Sequence, residues 1–481
     1  MKKAGILMPV ASLPSRHGCG SFGQEAYDFI DLCDESGFRI WQILPMNPLG
    51  YGNSPYQPYS SFAMDDLFIS LDLLFKKGLL KEKAPDFMKD GDLVEYEAVR
   101  AFREPYLREA YAAFSGSEDL NFANFSYQEW VKDYSRFMAF RKASEGKCWT
   151  EWKADLKDGT ADIRPYQDEI LYQVFLQYML YLQWKDVKQY ANDKGIEIMG
   201  DIPFYVGLDS ADVWAHQDNF LLDSDGRPTF IAGVPPDYFS ATGQRWGNPI
   251  YDWDFMAKDG FTFWLERIAY TQRLFDIVRI DHFRAFDTYW KIKASCPTAI
   301  DGEWIEAPGY ALFDKVLEAM PDLKLVAEDL GELRPEVHVL RDHYKFPGMR
   351  VIQFSYDPKG MPKDNERLVV YTGTHDNEPI RAWYNEKPEK TKISIRRSLN
   401  KMGYKTHNFN DNMISYALGS DAETVIVPMS DWLNGGMEYR INTPGTVGSP
   451  NWMWRMKDMA AFNRRTKKIK KMIDDAGRAG E

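Results

Sequence analysis

Short apolar runs recur along the chain, most of them separated by sequence of helical character. They lie near Ile6–Val10, Ile40–Leu44, Ile196–Ile202, Ile277–Ile280, Leu323–Ala327, Met349–Phe354, Leu368–Tyr371 and Thr424–Val427. Between them, Ala26, Phe29, Ile30 and Cys33 fall on one side of a helix, as do Phe261, Trp264, Leu265 and Ile268. Strand and helix alternating in this way predict an α/β protein, a (β/α)8 TIM barrel, with a doubly wound open sheet as the alternative.

The runs are unevenly spaced. About 150 residues separate the second from the third, far more than a loop needs. The part from Phe62 to Ile163 is polar, aromatic and helical in pattern, and reads as a mainly helical subdomain inserted in a βα connection. Residues 207–260 are rich in glycine, proline and aromatics and read as a loop-rich subdomain bordering the active site. From Asn451 on, the pattern predicts a closing helix whose basic stretch, Lys467 to Lys471, is a solvated helix end. The whole chain, 1–481, reads as one catalytic barrel domain with no separate C-terminal β-sandwich.

Composition narrows the function. A net charge of −12 and a pI near 5.3 argue against nucleic acid or an anionic membrane as partner. Aromatic residues make up 15% of the chain, enough to supply either ring platforms for sugars or extra core. Cys19, Cys33, Cys148 and Cys296 are too scattered for a disulfide framework or a zinc cluster and fit free thiols in a reducing compartment. The apolar start is short and broken by Pro9, so it reads as a strand rather than a signal peptide. No stretch is long enough to span a bilayer, and a cytoplasmic location is expected.

Two motifs mislead. Gly18 to Gly23 matches G-x-G-x-x-G, but the second run ends Leu44-Pro45 with no acid to hold a ribose, so a dinucleotide site is rejected. The glycines still mark backbone that something approaches closely. Asp223 to Gly226 resembles a calcium loop without its later glutamate, and a tight turn is expected instead.

The chemistry lies at the strand ends. Asp201, Asp281, Glu328 with Asp329, and Asp376 each follow or close an apolar run, and in a (β/α)8 barrel those ends meet at the active-site face. Acids gathered there need a positive charge, either a metal or an oxocarbenium-like transition state. No metal motif occurs and Arg279 is already present, which favours the second and implies no metal and no cofactor. Asp281 beside Arg279 is expected to stay ionised. Glu328, with Asp329 and other acids close by, is expected to hold a proton. Asp376, between His375 and Asn377, suits gripping sugar hydroxyls.

These segments resemble the amylomaltases, the 4-α-glucanotransferases of the α-amylase clan. The resemblance rests on Val-Arg-Ile-Asp-His-Phe-Arg around Asp281, Ala-Glu-Asp-Leu-Gly around Glu328, Gly-Thr-His-Asp-Asn around Asp376 and Gly-Asp-Ile-Pro-Phe around Asp201. It extends to Ser12–Ser15, to Gly50–Gln57 with its Ser-Pro-Tyr, to Gly243–Pro249 with its Gln-Arg-Trp-Gly-Asn-Pro, and to Asn442–Thr446. The family pattern near the first glycines is Gly-x-Gly-Asp, where this chain has Ser21, away from the predicted chemistry.

The resemblance implies a retaining double displacement, with Asp281 as nucleophile, Glu328 as acid/base and Asp376 binding ring hydroxyls. It implies that Arg279, His282, His375 and Asp201 orient the reacting glucose. Trp246 and the Tyr251–Trp253 stretch would form one lip of the cleft, Tyr51 and Tyr56 the other; Ser54 would bind substrate, and Asn451 would add an acceptor-side hydrogen bond. The implied partners are maltooligosaccharides and α-1,4-glucans as donor and acceptor, glucose as acceptor, and neither nucleic acid nor membrane. A retaining α-glucan hydrolase is the alternative enzyme. A non-catalytic glucan-binding protein is the alternative of another class, although it would be expected to lack one of the three acids.

Overall fold

The computed structural model describes residues 2–87, 93–114, 120–236, 240–360 and 367–479. Eight parallel strands form from the eight runs: β1 Lys3–Leu7, β2 Ile40–Gln42, β3 Glu197–Ile202, β4 Ile277–Ile280, β5 Leu325–Ala327, β6 Gly348–Val351, β7 Leu368–Tyr371 and β8 Thr424–Pro428. They pair in the order β6-β7-β8-β1-β2-β3-β4-β5. The Ala327 amide donates to Pro347 O at 2.8 Å, joining β5 back to β6 and closing the ring. The open-sheet alternative is thereby excluded, and the fold is a (β/α)8 barrel. Val425, Ile426 and Val427 are all fully buried, as expected for strands covered on both faces.

Three strands, β1, β2 and β6, end earlier than their apolar runs. After β1 the chain reaches Pro9, which lacks an amide hydrogen for a ladder, and turns through a 3-10 segment at Val10–Ser12. After β6, Ile352–Ser355 forms one helical turn. The glycine stretch meets the first of these turns: the Gly20 amide donates to Ala11 O at 3.1 Å, and a Cβ on Gly20 would collide with Val10 O. What approaches Gly20 is therefore the chain's own backbone. Ser21 binds the Glu25 carboxylate through its amide and its hydroxyl, at 2.9 and 2.6 Å.

Between β2 and β3 lie the helices Tyr96–Ala113, Leu120–Ser126 and Glu129–Ala143, followed by the 27-residue helix Gln167–Asp193 that returns to the barrel. Many of the aromatics pack here. Phe125 meets Tyr178 at 5.5 Å, and Trp130 meets Tyr270 of the barrel helix Thr262–Leu274 at 5.0 Å. One apolar core runs continuously from the strands into these helices.

Residues 207–260 hold more regular structure than their composition suggests. Gln244–Pro249, Phe230–Val234, Thr288–Lys293 and Gly302–Glu306 form, in that order, an antiparallel side sheet. Gly247 and Pro249 mask the first of these strands in sequence, and two of the partners come from beyond residue 260. Asp223–Gly226 is a tight turn, with the Gly226 amide donating to Asp223 O at 2.9 Å.

The closing helix begins later than expected. After the short helix Ala460–Asn463, Thr466–Asp475 buries Ile469 and Ile473, and it packs on Gln24–Ser36. Lys470 and Lys471 lie within this helix and pair with Asp474 and Asp475 at 3.1 and 2.8 Å. Among the described residues, no helix is long and apolar enough to cross a membrane.

Candidate active site

The register between β3 and β4 places Asp201 directly beside Arg279. One guanidinium nitrogen of Arg279 donates to both Asp201 oxygens, at 2.7 and 2.6 Å, and the other reaches Asp281 Oδ1 at 3.1 Å. The side chains of Asp201 and Arg279 are 0% and 4% exposed, whereas Asp281 keeps 31%. Tyr56 adds a donor to Asp201 from its hydroxyl at 2.8 Å. An arginine therefore bridges the structural acid of one strand and the accessible acid of the next.

This sharing changes the expected state of Asp281. Burial pushes its carboxyl up to about 6, against the pull of Arg279, and the Asp201 charge pushes the same way. The guanidinium does not keep it at an ordinary carboxylate value, because burial outweighs its pull and most of its hydrogen bonding goes to Asp201. Glu328 is higher still, pushed to about 8 by burial and then by the Asp281 charge. The two acids thus remain ordered as the chemistry needs, Asp281 below neutrality and Glu328 above it.

Glu328 follows β5 as Asp281 follows β4, each one residue past the registered pair Ile280 and Ala327. The Glu328 amide donates to Ile280 O at 3.0 Å, and the His282 amide donates to Glu328 Oε2 at 2.8 Å. His282 has the left-handed φ of 53°, which turns the backbone just after Asp281. Its imidazole, lowered to about 3 by burial and by Arg284, is neutral and meets the Trp246 ring edge-on at 4.9 Å. Asp329 has a smaller part than expected. It binds Arg341 and the Met349 amide, and it is only a minor contributor to the raised Glu328.

Asp376 lies in the loop after β7. Asn442 donates to its Oδ1 at 2.6 Å and Arg440 to its backbone carbonyl at 3.2 Å. The neighbouring His375 stacks on Tyr56, with ring centres 5.1 Å apart and planes 19° from parallel. Trp452 stands against both rings, at 5.7 and 5.8 Å. The Gln57 side-chain Nε2 donates to Trp246 O at 3.2 Å, tying the segment that carries Tyr56 to the opposite lip.

The remaining expected residues divide. Ser54 accepts from the Tyr56 amide at 3.3 Å and shapes that turn. Tyr51 is 75% exposed at the tip of the same loop. Tyr251 is not a cleft residue: it is buried and donates to Phe204 O at 2.7 Å. Asn451 is also buried, and both ends of its amide are taken up by Thr443 and Thr446, at 2.9 and 2.8 Å, so it closes its own loop instead of reaching an acceptor. Sequence reasoning missed Trp452, for which no spacing signal exists. Asn442 stands in the sequence only as the first residue of its Asn-Thr-Pro-Gly-Thr motif.

A family model described as 4-alpha-glucanotransferase matches residues 8–461. The 4-alpha-glucanotransferase of Streptococcus pneumoniae is 42% identical over 475 residues, covering 95% of this chain and 94% of the relative. That of Thermus thermophilus is 41% identical, covering 94% of each. Among solved structures, the amylomaltase from Streptococcus agalactiae in complex with acarbose is 35% identical and superposes with a TM-score of 0.94, covering 99% of this chain and 100% of that one. The family match spans the strand ends that carry Asp201, Asp281, Glu328 and Asp376, so the chain belongs to the 4-alpha-glucanotransferase family.

Proposed function

We propose that this protein transfers α-1,4-glucan segments between maltooligosaccharides by double displacement, with Asp281 as nucleophile and Glu328 as acid/base. The observation that carries this reading is the Glu328 carboxylate, held by the His282 amide at the rim beside Asp281. The two acids leave adjacent strands one residue beyond a registered pair. Strands in a sheet are about 4.8 Å apart, which suits the roughly 5–5.5 Å carboxyl separation of retaining enzymes better than the wider spacing of inverting ones.

In the first step an Asp281 oxygen attacks the anomeric carbon. The bond to the leaving oxygen breaks, and that oxygen takes the Glu328 proton. In the second step the Glu328 carboxylate takes the proton of an acceptor 4-hydroxyl, which attacks the same carbon and releases Asp281. Asp376, oriented by Asn442, binds ring hydroxyls of the reacting glucose. Arg279 fixes the nucleophile, and the Tyr56–His375–Trp452 wall packs against the sugar.

Hydrolysis by the same machinery is limited because the lips are joined by the Gln57–Trp246 hydrogen bond, which narrows the route for water. Maltooligosaccharides and glucose are the acceptors this reading assigns, and residues 62–163 and 207–260 act as insertions in the barrel. Four unpaired cysteines support a cytoplasmic enzyme. Incubation with maltotriose tests the reading. Transfer yields a ladder of longer oligosaccharides with free glucose and constant reducing ends. Reducing ends that rise with every bond broken would mark a hydrolase instead.

A further inference from the structure

Beyond Glu328 the site continues into surface that the mechanism above does not use. Arg284, two residues after His282, donates to Glu332 O at 2.9 Å, in the loop that follows the acid. The Glu328 carboxylate is among the charges acting on it. The Arg284 guanidinium stands 4.1 Å from the centre of the Trp304 ring. Trp304 lies on the outer strand of the side sheet, directly opposite Trp290, and the two indoles meet at 5.1 Å and 64°. Trp290 is itself fixed: its Nε1 donates to Ala299 O at 2.9 Å, and its ring covers Gly302, where a Cβ would collide with it. Trp304 is thus held by a cation and by a fixed indole, yet it remains 40% exposed.

A flat ring that is already immobilised stacks on a sugar at low entropic cost. Its position sets which sugar. The donor glucose lies between Asp281, Asp376 and Tyr56. The leaving chain, and the acceptor that replaces it, lie on the Glu328 side, because Glu328 protonates the departing oxygen. Arg284 and Trp304 extend from that side. We propose that Trp304, backed by Arg284, is a binding platform for a distal glucose unit of the leaving and accepting α-1,4-glucan. It therefore sets the preference for long acceptors.

This inference rests on Glu328 as acid/base, and the two readings fail separately. Activity retained by E328Q would overturn the acid/base role whatever Trp304 does. For Trp304 the measurement is transfer from α-maltotriosyl fluoride, whose fluoride leaving group does not reach the platform, to glucose and, separately, to maltoheptaose, in W304A and W304F. In W304A the KM for maltoheptaose should rise about tenfold, the loss of one good ring contact, while transfer to glucose stays within about twofold. W304F should recover most of that loss. An unchanged KM for maltoheptaose would overturn the proposal. Equal losses with both acceptors would overturn it too, because they would show that Trp304 only supports the fold.

Discussion

Arg279 grips both oxygens of Asp201 with one nitrogen, at 2.7 and 2.6 Å, and touches Asp281 with the other at 3.1 Å. The charge that holds the proposed nucleophile is therefore shared with a second acid, buried beneath it, whose own charge adds to the burial that raises Asp281. Asp201→Asn should let Arg279 act more fully on Asp281. The Asp281 pKa should fall, and the acid limb of the rate profile should move below about 6. Leaving a buried guanidinium partly uncompensated should also destabilise the fold by up to about 3–5 kcal/mol, read by urea unfolding. An acid limb that stays in place would show that Asp201 does not tune the nucleophile.

The pH profile of the wild-type enzyme follows from the same pair. The productive form has Asp281 ionised, a state lost as pH falls through about 6. It also has Glu328 protonated, a state lost as pH rises through about 8. A bell-shaped kcat/KM between those limits is expected, with both limbs belonging to the pair as a unit. Glu328→Gln should remove the basic limb and cost roughly 10²–10⁴-fold in kcat. A basic limb that survives in that variant would place the titrating acid elsewhere.

The barrel and its acids were legible because strand period, strand order and carboxylates at strand ends are local properties of sequence. Asp201, Asp281 and Glu328 each sit at the end of an apolar run, and a parallel barrel brings such ends to one rim. Less was legible where pairing is non-local. The side sheet joins Gln244–Pro249 to strands as far on as Gly302–Glu306, and no window contains both. The balance at Asp281 was not legible because the sequence shows Arg279 two residues away but neither the burial that raises the carboxyl nor Asp201, which takes most of the Arg279 hydrogen bonds. Asn451 and Tyr251 look available in sequence, but in the fold their polar atoms are already bonded.

Asn442 is the second example of a residue whose role needs the fold. Its amide nitrogen donates to Asp376 Oδ1 at 2.6 Å, and its own backbone amide donates to His375 O at 3.1 Å, so it clamps the loop from two directions. Asn442→Ala should free the Asp376 carboxylate to rotate. A hydrogen bond to a charged group is worth about 1.5–3 kcal/mol, so kcat/KM should fall roughly 10–100-fold. Asn442→Asp, which places a second negative charge against Asp376, should be worse than alanine. A fall confined to thermal stability, with kcat/KM intact, would mean that the Asp376 carboxylate keeps its place without Asn442, with His375 Nε2 3.5 Å from the same oxygen.

Trp452 carries the last prediction, because its wall position is imposed from outside the barrel. It holds a left-handed φ of 66°, a conformation that costs a bulky residue about 1–3 kcal/mol unless its surroundings enforce it. Two hydrogen bonds do so. Tyr96, at the start of the helix Tyr96–Ala113, donates from its hydroxyl to Trp452 O at 2.6 Å, and the Trp452 amide donates to Ile441 O at 2.6 Å. One residue on, the Val94 amide donates to Met453 O, also at 2.6 Å. The segment leading into that helix therefore pins the ring that backs Tyr56 and His375. Tyr96→Phe removes one of these restraints and leaves a backbone carbonyl without its donor, at a cost of about 1–3 kcal/mol in urea unfolding. With the Trp452 backbone freer to relax, the KM for donor glucan should rise several-fold while the pH limbs stay where they are, since no charge is moved. If stability falls but KM does not, Trp452 keeps its place through Ile441 and Met453, and Tyr96 is a support of the fold only.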